Sequence, residues 1–131
     1  MHDTLTDLPN RVALQQRIDS HIGTGTPGAL LLLDIDHFKY INDNYGHRTG
    51  DQLIRGVGSA LRDMMRDFNG ELFRLGGDEF AVLVPEVTDN MLPVLAERIV
   101  RSISSIKFEF EGQSLRLTTS LGMALFPDHA E

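Results

Sequence analysis

The chain has no cysteine, which excludes disulfides and thiolate metal sites. It has no long hydrophobic run either. The longest, ALLLL at 29–33, is far too short to span a bilayer. The opening residues, MHDTLTD, are polar and acidic, so no signal peptide begins the chain, and a cytoplasmic location is the expectation. Positive charge is scarce: 12 Lys and Arg stand against 19 Asp and Glu, for a net charge of −7. That argues against a general nucleic-acid binder, which needs a basic face. It fits a protein that holds metal ions and meets phosphates through them. His37 and His47 have no clustered partner histidines, so zinc is not expected.

What is present suits one domain of 131 residues, long enough to bury a real core. At 7–10, Pro9 reads as part of a helix's first turn, with Asp7 or Asn10 near the cap. Leu14, Ile18 and Ile22 then recur as one apolar stripe. GTGTPG at 23–28 reads as a loop, and no Lys-Ser/Thr follows to make it a P-loop. ALLLLDID reads as a buried strand ending in acids. A short helix then carries Phe38, Ile41 and Tyr45 on one side and stops near Gly46. A second helix, from Thr49 to about Met65, shows Leu53, Val57, Leu61 and Met64 at helical spacing. ELFRL and FAVLV are strands joined by a turn at Gly76 and Gly77. Thr88 or Asp89 is placed to cap a helix whose Leu92, Leu95, Ile99 and Ile103 face the core. FEF and LRLTTSLGMALF close the chain as two strands around an EGQS turn. The five methionines read as core filler. Helices mixed with antiparallel hairpins point to an α+β class.

Two acidic clusters sit at strand edges. In LLLDID, Asp34 and Asp36 share a parity, so both side chains leave the same face if the strand continues that far. In RLGGDEFAVL, Asp78 and Glu79 follow the glycine pair. If these strands are neighbours, Asp34 and the hairpin acids converge, and a divalent cation relieves their repulsion. Oxygen-only ligands suit magnesium or manganese. Either cluster alone is also what solvated strand ends look like; both together favour a metal.

RLGGDEFAVL resembles the signature of the GGDEF family, the diguanylate cyclases. DTLTDLPNR resembles that family's opening motif, DIDHFKYINDNYGHRTGDQLI its metal-and-guanine segment, and LTTSLGMALFP its late strand. The resemblance implies a palm-like, ferredoxin-related nucleotidyl cyclase fold with a central, mostly antiparallel sheet flanked by helices. It implies a homodimer that joins two GTP into cyclic di-GMP and releases pyrophosphate. Asp34 and the Ile35 carbonyl would hold Mg²⁺ (or Mn²⁺) together with Asp78 and Glu79. Asp78 is also linked to activation of the 3′-hydroxyl. Gly76 and Gly77 would admit GTP closely, Asn42 and Asp51 match the guanine-reading pair, and Phe38 and Lys39 match nucleotide-pocket residues.

Two departures from the pattern stand out. The product-binding R-x-x-D motif is replaced by DFNG, with Asp67 and Gly70 at its ends, so Arg98 would be at most a secondary remnant of an inhibitory site. The sequence also stops at FPDHAE, before the helix whose Lys and Arg grip the triphosphate in that family. The expectation is therefore a domain cut from a longer protein with sensory or phosphodiesterase neighbours, weakly active or inactive by itself. The alternatives are a non-catalytic GTP-sensing module that controls an attached domain, or a purely structural dimerisation module.

Overall fold

Ten elements follow one another in the computed structural model, which describes residues 1–87 and 90–126. They are α1 (Arg11–Thr24), β1 (Gly28–Ile35), α2 (Phe38–Tyr45), α3 (His47–Met65), β2 (Glu71–Gly76), β3 (Glu79–Pro85), α4 (Met91–Ser104), β4 (Phe108–Phe110), β5 (Gln113–Leu115) and β6 (Thr119–Phe126). A 3-10 turn at Arg66–Phe68 joins α3 to β2. Four strands make a sheet in the order β2-β3-β1-β6. Each neighbouring pair runs antiparallel, while β4 and β5 form a separate hairpin. No helix among the described residues is long and apolar enough to cross a membrane.

The sheet is covered on both faces, which explains why β1 and β3 are nearly continuous apolar runs. Leu31, Leu33 and Ile35 of β1, with Phe80, Val82 and Val84 of β3, join Leu53, Val57 and Leu61 of α3 and Leu95, Ile99 and Ile103 of α4 in the larger core. On the other face Ala81 and Leu83 meet Leu14 of α1 and Phe73 of β2, with Ile18 and Leu30 packed at the margin. Each such fully buried side chain stabilises the fold by about 1.5–3 kcal/mol. The sheet is therefore a stiff base, and the strand ends that emerge from it are fixed in position.

Several local expectations are corrected. Pro9 lies outside α1, in a bridge with His2, because Asn10 is the true N-cap and its side chain accepts from the Ala13 N–H. Ile22 is 66% exposed, so the stripe is buried at Leu14, partly buried at Ile18 and open at its end. The 23–28 loop is shorter than its composition suggests: α1 runs through Thr24, Gly25 forms its C-cap, and Gly28 already belongs to β1. Helix α3 starts at His47, two residues before Thr49. The last hairpin turns on Glu111 and Gly112, both with positive φ, so Gln113 and Ser114 are strand residues. LRLTTSLGMALF is two strands, because residues 116–118 pass from the small hairpin to the main sheet. Only Met64 and Met65 are core methionines, whereas Met1, Met91 and Met123 are exposed. The expected caps Thr88 and Asp89 lie outside the described residues.

Candidate metal and nucleotide site

The pairing of β1 with β3 sets Asp34 directly opposite Glu79. Residues paired across strands share a face, so two carboxylates meet where only unlike charges would be favourable. Asp78 is one residue earlier, on the turn of the hairpin, and its carbonyl accepts the Ile35 N–H at 3.1 Å. The turn itself needs glycine: Gly76 has φ 137° and Gly77 φ 50°, where side chains strain the backbone. Neither has a heavy atom within 4 Å of where a Cβ would sit, so the space beside them is open.

Electrostatics mark Asp34 out. Burial raises its pKa first, and the charges of Asp78, Glu79 and Asp36 raise it further. Asp36 behaves in the opposite sense: hydrogen bonds from Ser120 and Thr118 lower its pKa, against the effect of burial, and His37 adds to the lowering. Strand β1 ends at Ile35, so Asp36 lies past it and the shared strand face expected for Asp34 and Asp36 does not apply; their environments also differ. Among the described residues Glu79 has one distant cationic neighbour, Arg11 at 4.0 Å, and both side chains are largely exposed. Such a pair contributes little. The donor set thus fits a divalent cation, being rich in oxygen and in uncompensated negative charge. Among the described residues no group of three or more His, Asp or Glu side chains is placed to hold a metal ion, so the expected convergence of Asp34 with both hairpin acids is not met as a three-ligand group. Magnesium keeps water and substrate phosphates among its ligands, so a site with fewer side-chain ligands still suits it.

Helix α2 starts immediately beyond these acids. His37 precedes it with φ 61° and makes no side-chain cap, so the N–H groups at its start are left without a side-chain partner. Phe38 is half-buried against the larger core, and Lys39 is exposed beside it. Asn42, one turn further, meets α3 at Gly50: a Cβ on Gly50 would overlap Asn42 Oδ1 and come within 3.3 Å of the Phe38 ring. Asp51 follows Gly50 and is exposed. Gly50 is thus a point of close packing between α2 and α3.

Two arginines make contacts that the sequence did not signal. Arg74 is one of them. Its guanidinium donates to both Asp3 oxygens, at 2.9 and 3.1 Å, and to the Gly77 carbonyl at 2.8 Å. Arg98, expected as at most a secondary remnant of an inhibitory site, bonds Asp67 at 2.8 Å and lies 5.2 Å from the Phe68 ring centroid. The residues of the DFNG stretch thus hold Arg98 internally. Thr118 and Ser120, which bond Asp36, were missed as well. Their alternation at the start of β6 is the signal, since residues two apart share a face.

Comparison with known proteins identifies the family. The family model described as "Diguanylate cyclase, GGDEF domain" matches residues 1–131. The chain is 39% identical over 130 residues to the diguanylate cyclase DgcP of Pseudomonas aeruginosa, covering 95% of this chain and 19% of that protein. It is 35% identical over 134 residues to the cyclic di-GMP phosphodiesterase NbdA of the same organism, covering 99% of this chain and 17% of that protein. The chain therefore spans less than a fifth of the length of these two relatives. In structure it is similar to the GGDEF domain of DgcB from Caulobacter crescentus, solved with c-di-GMP, with a TM-score of 0.84 and 34% identity over 95% of this chain and 76% of that one. With the α+β fold, the antiparallel sheet and the glycine hairpin in place, the chain belongs to the GGDEF diguanylate cyclase domain family.

Proposed function

We propose that this chain is the catalytic domain of a diguanylate cyclase, which joins two GTP molecules into cyclic di-GMP and releases pyrophosphate. The observation that carries this reading is the opposed pair Asp34 and Glu79, with Asp78 beside it on the glycine turn. Asp34, the Ile35 carbonyl, Asp78 and Glu79 would hold Mg²⁺ or Mn²⁺. Once bound, the metal lowers the cost of forming an alkoxide at the 3′-oxygen and neutralises charge on the phosphates.

The protein's own groups orient the nucleotide. Guanine presents N1–H and N2–H donors, which the Asp51 carboxylate can accept, while adenine would leave that carboxylate unpaired. Asn42 supplies a second polar contact from the facing helix. The uncapped N–H groups of Phe38 and Lys39 suit phosphate oxygens, helped by the dipole of α2. Gly76 and Gly77 leave the hairpin backbone bare on the side where GTP would approach. Asp78, on that turn, is suited to accept the proton of the 3′-hydroxyl. With one GTP per domain, each 3′-oxygen must attack the α-phosphorus of the other nucleotide. Two domains therefore face each other as a homodimer.

Full-length protein incubated with GTP and Mg²⁺ should yield cyclic di-GMP and pyrophosphate on anion-exchange chromatography, and Asp78→Ala should abolish both. A dimer that binds GTP and forms neither would refute the catalytic reading. The similarity to NbdA, named as a phosphodiesterase, favours a second reading: a GTP-binding module that controls an attached phosphodiesterase domain. GTP binding without turnover, together with altered hydrolysis of cyclic di-GMP by the full-length protein, would select it.

A further inference from the structure

Three consecutive hydroxyls where β6 begins all donate to the stretch from Asp34 to Asp36. Thr118 Oγ1 bonds Asp36 Oδ2 at 2.7 Å, and Ser120 Oγ bonds Asp36 Oδ1 at 2.6 Å. Thr119 Oγ1 bonds the Asp34 carbonyl at 2.6 Å. The backbone adds two ties: the Asp36 N–H to the Thr118 carbonyl at 2.9 Å, and the Ile35 N–H to the Asp78 carbonyl at 3.1 Å. The end of β1 is thus held from both sides, by β6 through Asp36 and by the hairpin through Ile35.

Asp36 and Asp34 differ in how their charge is met. Both Asp36 oxygens take a short hydroxyl donor, and hydrogen bonds to an ionised carboxylate are about twice as strong as neutral ones. The Asp34 carboxylate has no hydrogen-bond donor among the described residues and faces Glu79 instead. A carboxylate already engaged by two donors is a poor candidate for the metal, but a strong anchor for the backbone next to it.

We propose that Asp36 is a positioning residue: gripped by Thr118 and Ser120, it holds the Asp34–Ile35 backbone so that the Asp34 carboxylate stays opposite Glu79. The inference rests on the reading of Asp34 and Ile35 as metal ligands. It also gives the TTS segment of the late strand a task. The precedent is general, since groups that orient metal ligands typically change affinity 10–100-fold when removed.

The test uses Mn²⁺ binding, followed by the electron paramagnetic resonance signal of the free ion, and amide exchange of the Ile35 N–H in metal-free protein. Asp36→Ala and the pair Thr118→Val/Ser120→Ala should each weaken Mn²⁺ binding about tenfold and speed Ile35 exchange. Combining them should add little, because both remove the same grip. Asp36→Asn, which keeps one carbonyl acceptor, should restore part of the affinity. Should Asp36→Ala fail to fold, Ser120→Ala alone, on an exposed residue, must show the same direction of change. If the hydroxyl variants bind Mn²⁺ as the wild type does while Asp36→Ala loses it, Asp36 is itself a ligand and the proposal is overturned. It is equally overturned if every variant binds normally. If the wild type binds no Mn²⁺, the metal reading of Asp34 and Ile35 falls, and this inference falls with it.

Discussion

The Arg74 guanidinium bridges the Asp3 carboxylate and the Gly77 carbonyl, and so fastens the start of the chain to the hairpin that carries Asp78 and Glu79. The Arg74 and Asp3 side chains are only 11% and 17% exposed. Removing Arg74 would leave a half-buried carboxylate without its cation and the Gly77 carbonyl without this donor. Arg74→Ala should therefore lower stability by about 2 kcal/mol in urea unfolding. The double variant with Asp3→Asn should lose less than the sum of the two single losses, because the charge that Arg74 served is gone.

The same contact predicts a pH dependence. Burial pushes the Asp3 carboxyl up, but hydrogen bonds from Thr6 and Arg74 and the charge of Arg74 outweigh it and hold the pKa below 3.8. A depressed carboxyl stabilises the fold above its unfolded value, and that contribution is lost as pH falls through the folded one. Asp3→Asn should flatten the acid limb of the stability profile below about pH 4 and leave its neutral region level. An acid limb identical to that of the wild type would contradict the assignment.

Asp34 gives the opposite sign. Burial and its acidic neighbours raise its pKa, so the folded state favours the protonated form. As pH rises past 3.8 and through the folded value, the ionised pair begins to cost stability. Asp34→Asn should then stabilise the metal-free protein at neutral pH by about 0.5 kcal/mol, the size of a like-charged cross-strand pair. The gain should vanish at acid pH. Added Mg²⁺ should raise the Tm of the wild type and leave that of Asp34→Asn almost unmoved.

At the α2–α3 contact, Gly50→Ala places a methyl group against Asn42 Oδ1 and the Phe38 ring. Overpacking of this kind costs about 1–3 kcal/mol. It should also weaken GTP binding, read by calorimetry, because Asn42 must move. Adding Asn42→Ala removes the obstructing amide and should recover stability without recovering affinity.

The two hairpin glycines should differ. Gly77, at φ 50°, occupies a region that other residues enter at a cost of about 1 kcal/mol. Gly76, at φ 137°, lies where side chains are scarcely tolerated, and strain there is about 1–3 kcal/mol. Thermal unfolding should therefore rank Gly76→Ala below Gly77→Ala.

Much of the fold and the site is legible in the order of the residues. The glycine pair followed by two acids marks a tight turn, and apolar period alone places Leu53, Val57 and Leu61 inside α3. Ile22 shows the limit of such reasoning, because a helical stripe does not say how much of its length the fold covers. The break in LRLTTSLGMALF is hidden for a related reason: β propensity runs through residues 116–118, and only the choice of partner strand interrupts the pairing.

By itself the sequence determined the class of chemistry: acids beside glycine turns, an acidic net charge and no thiols, all properties of residue type and near spacing. Only the tertiary structure decided what surrounds each acid. Asp34 and Asp36 are two residues apart and alike in sequence. Folding brings Glu79 opposite one and the hydroxyls of Thr118 and Ser120 against the other. Those partners are distant in the chain, and a carboxylate's charge state follows from what surrounds it in space.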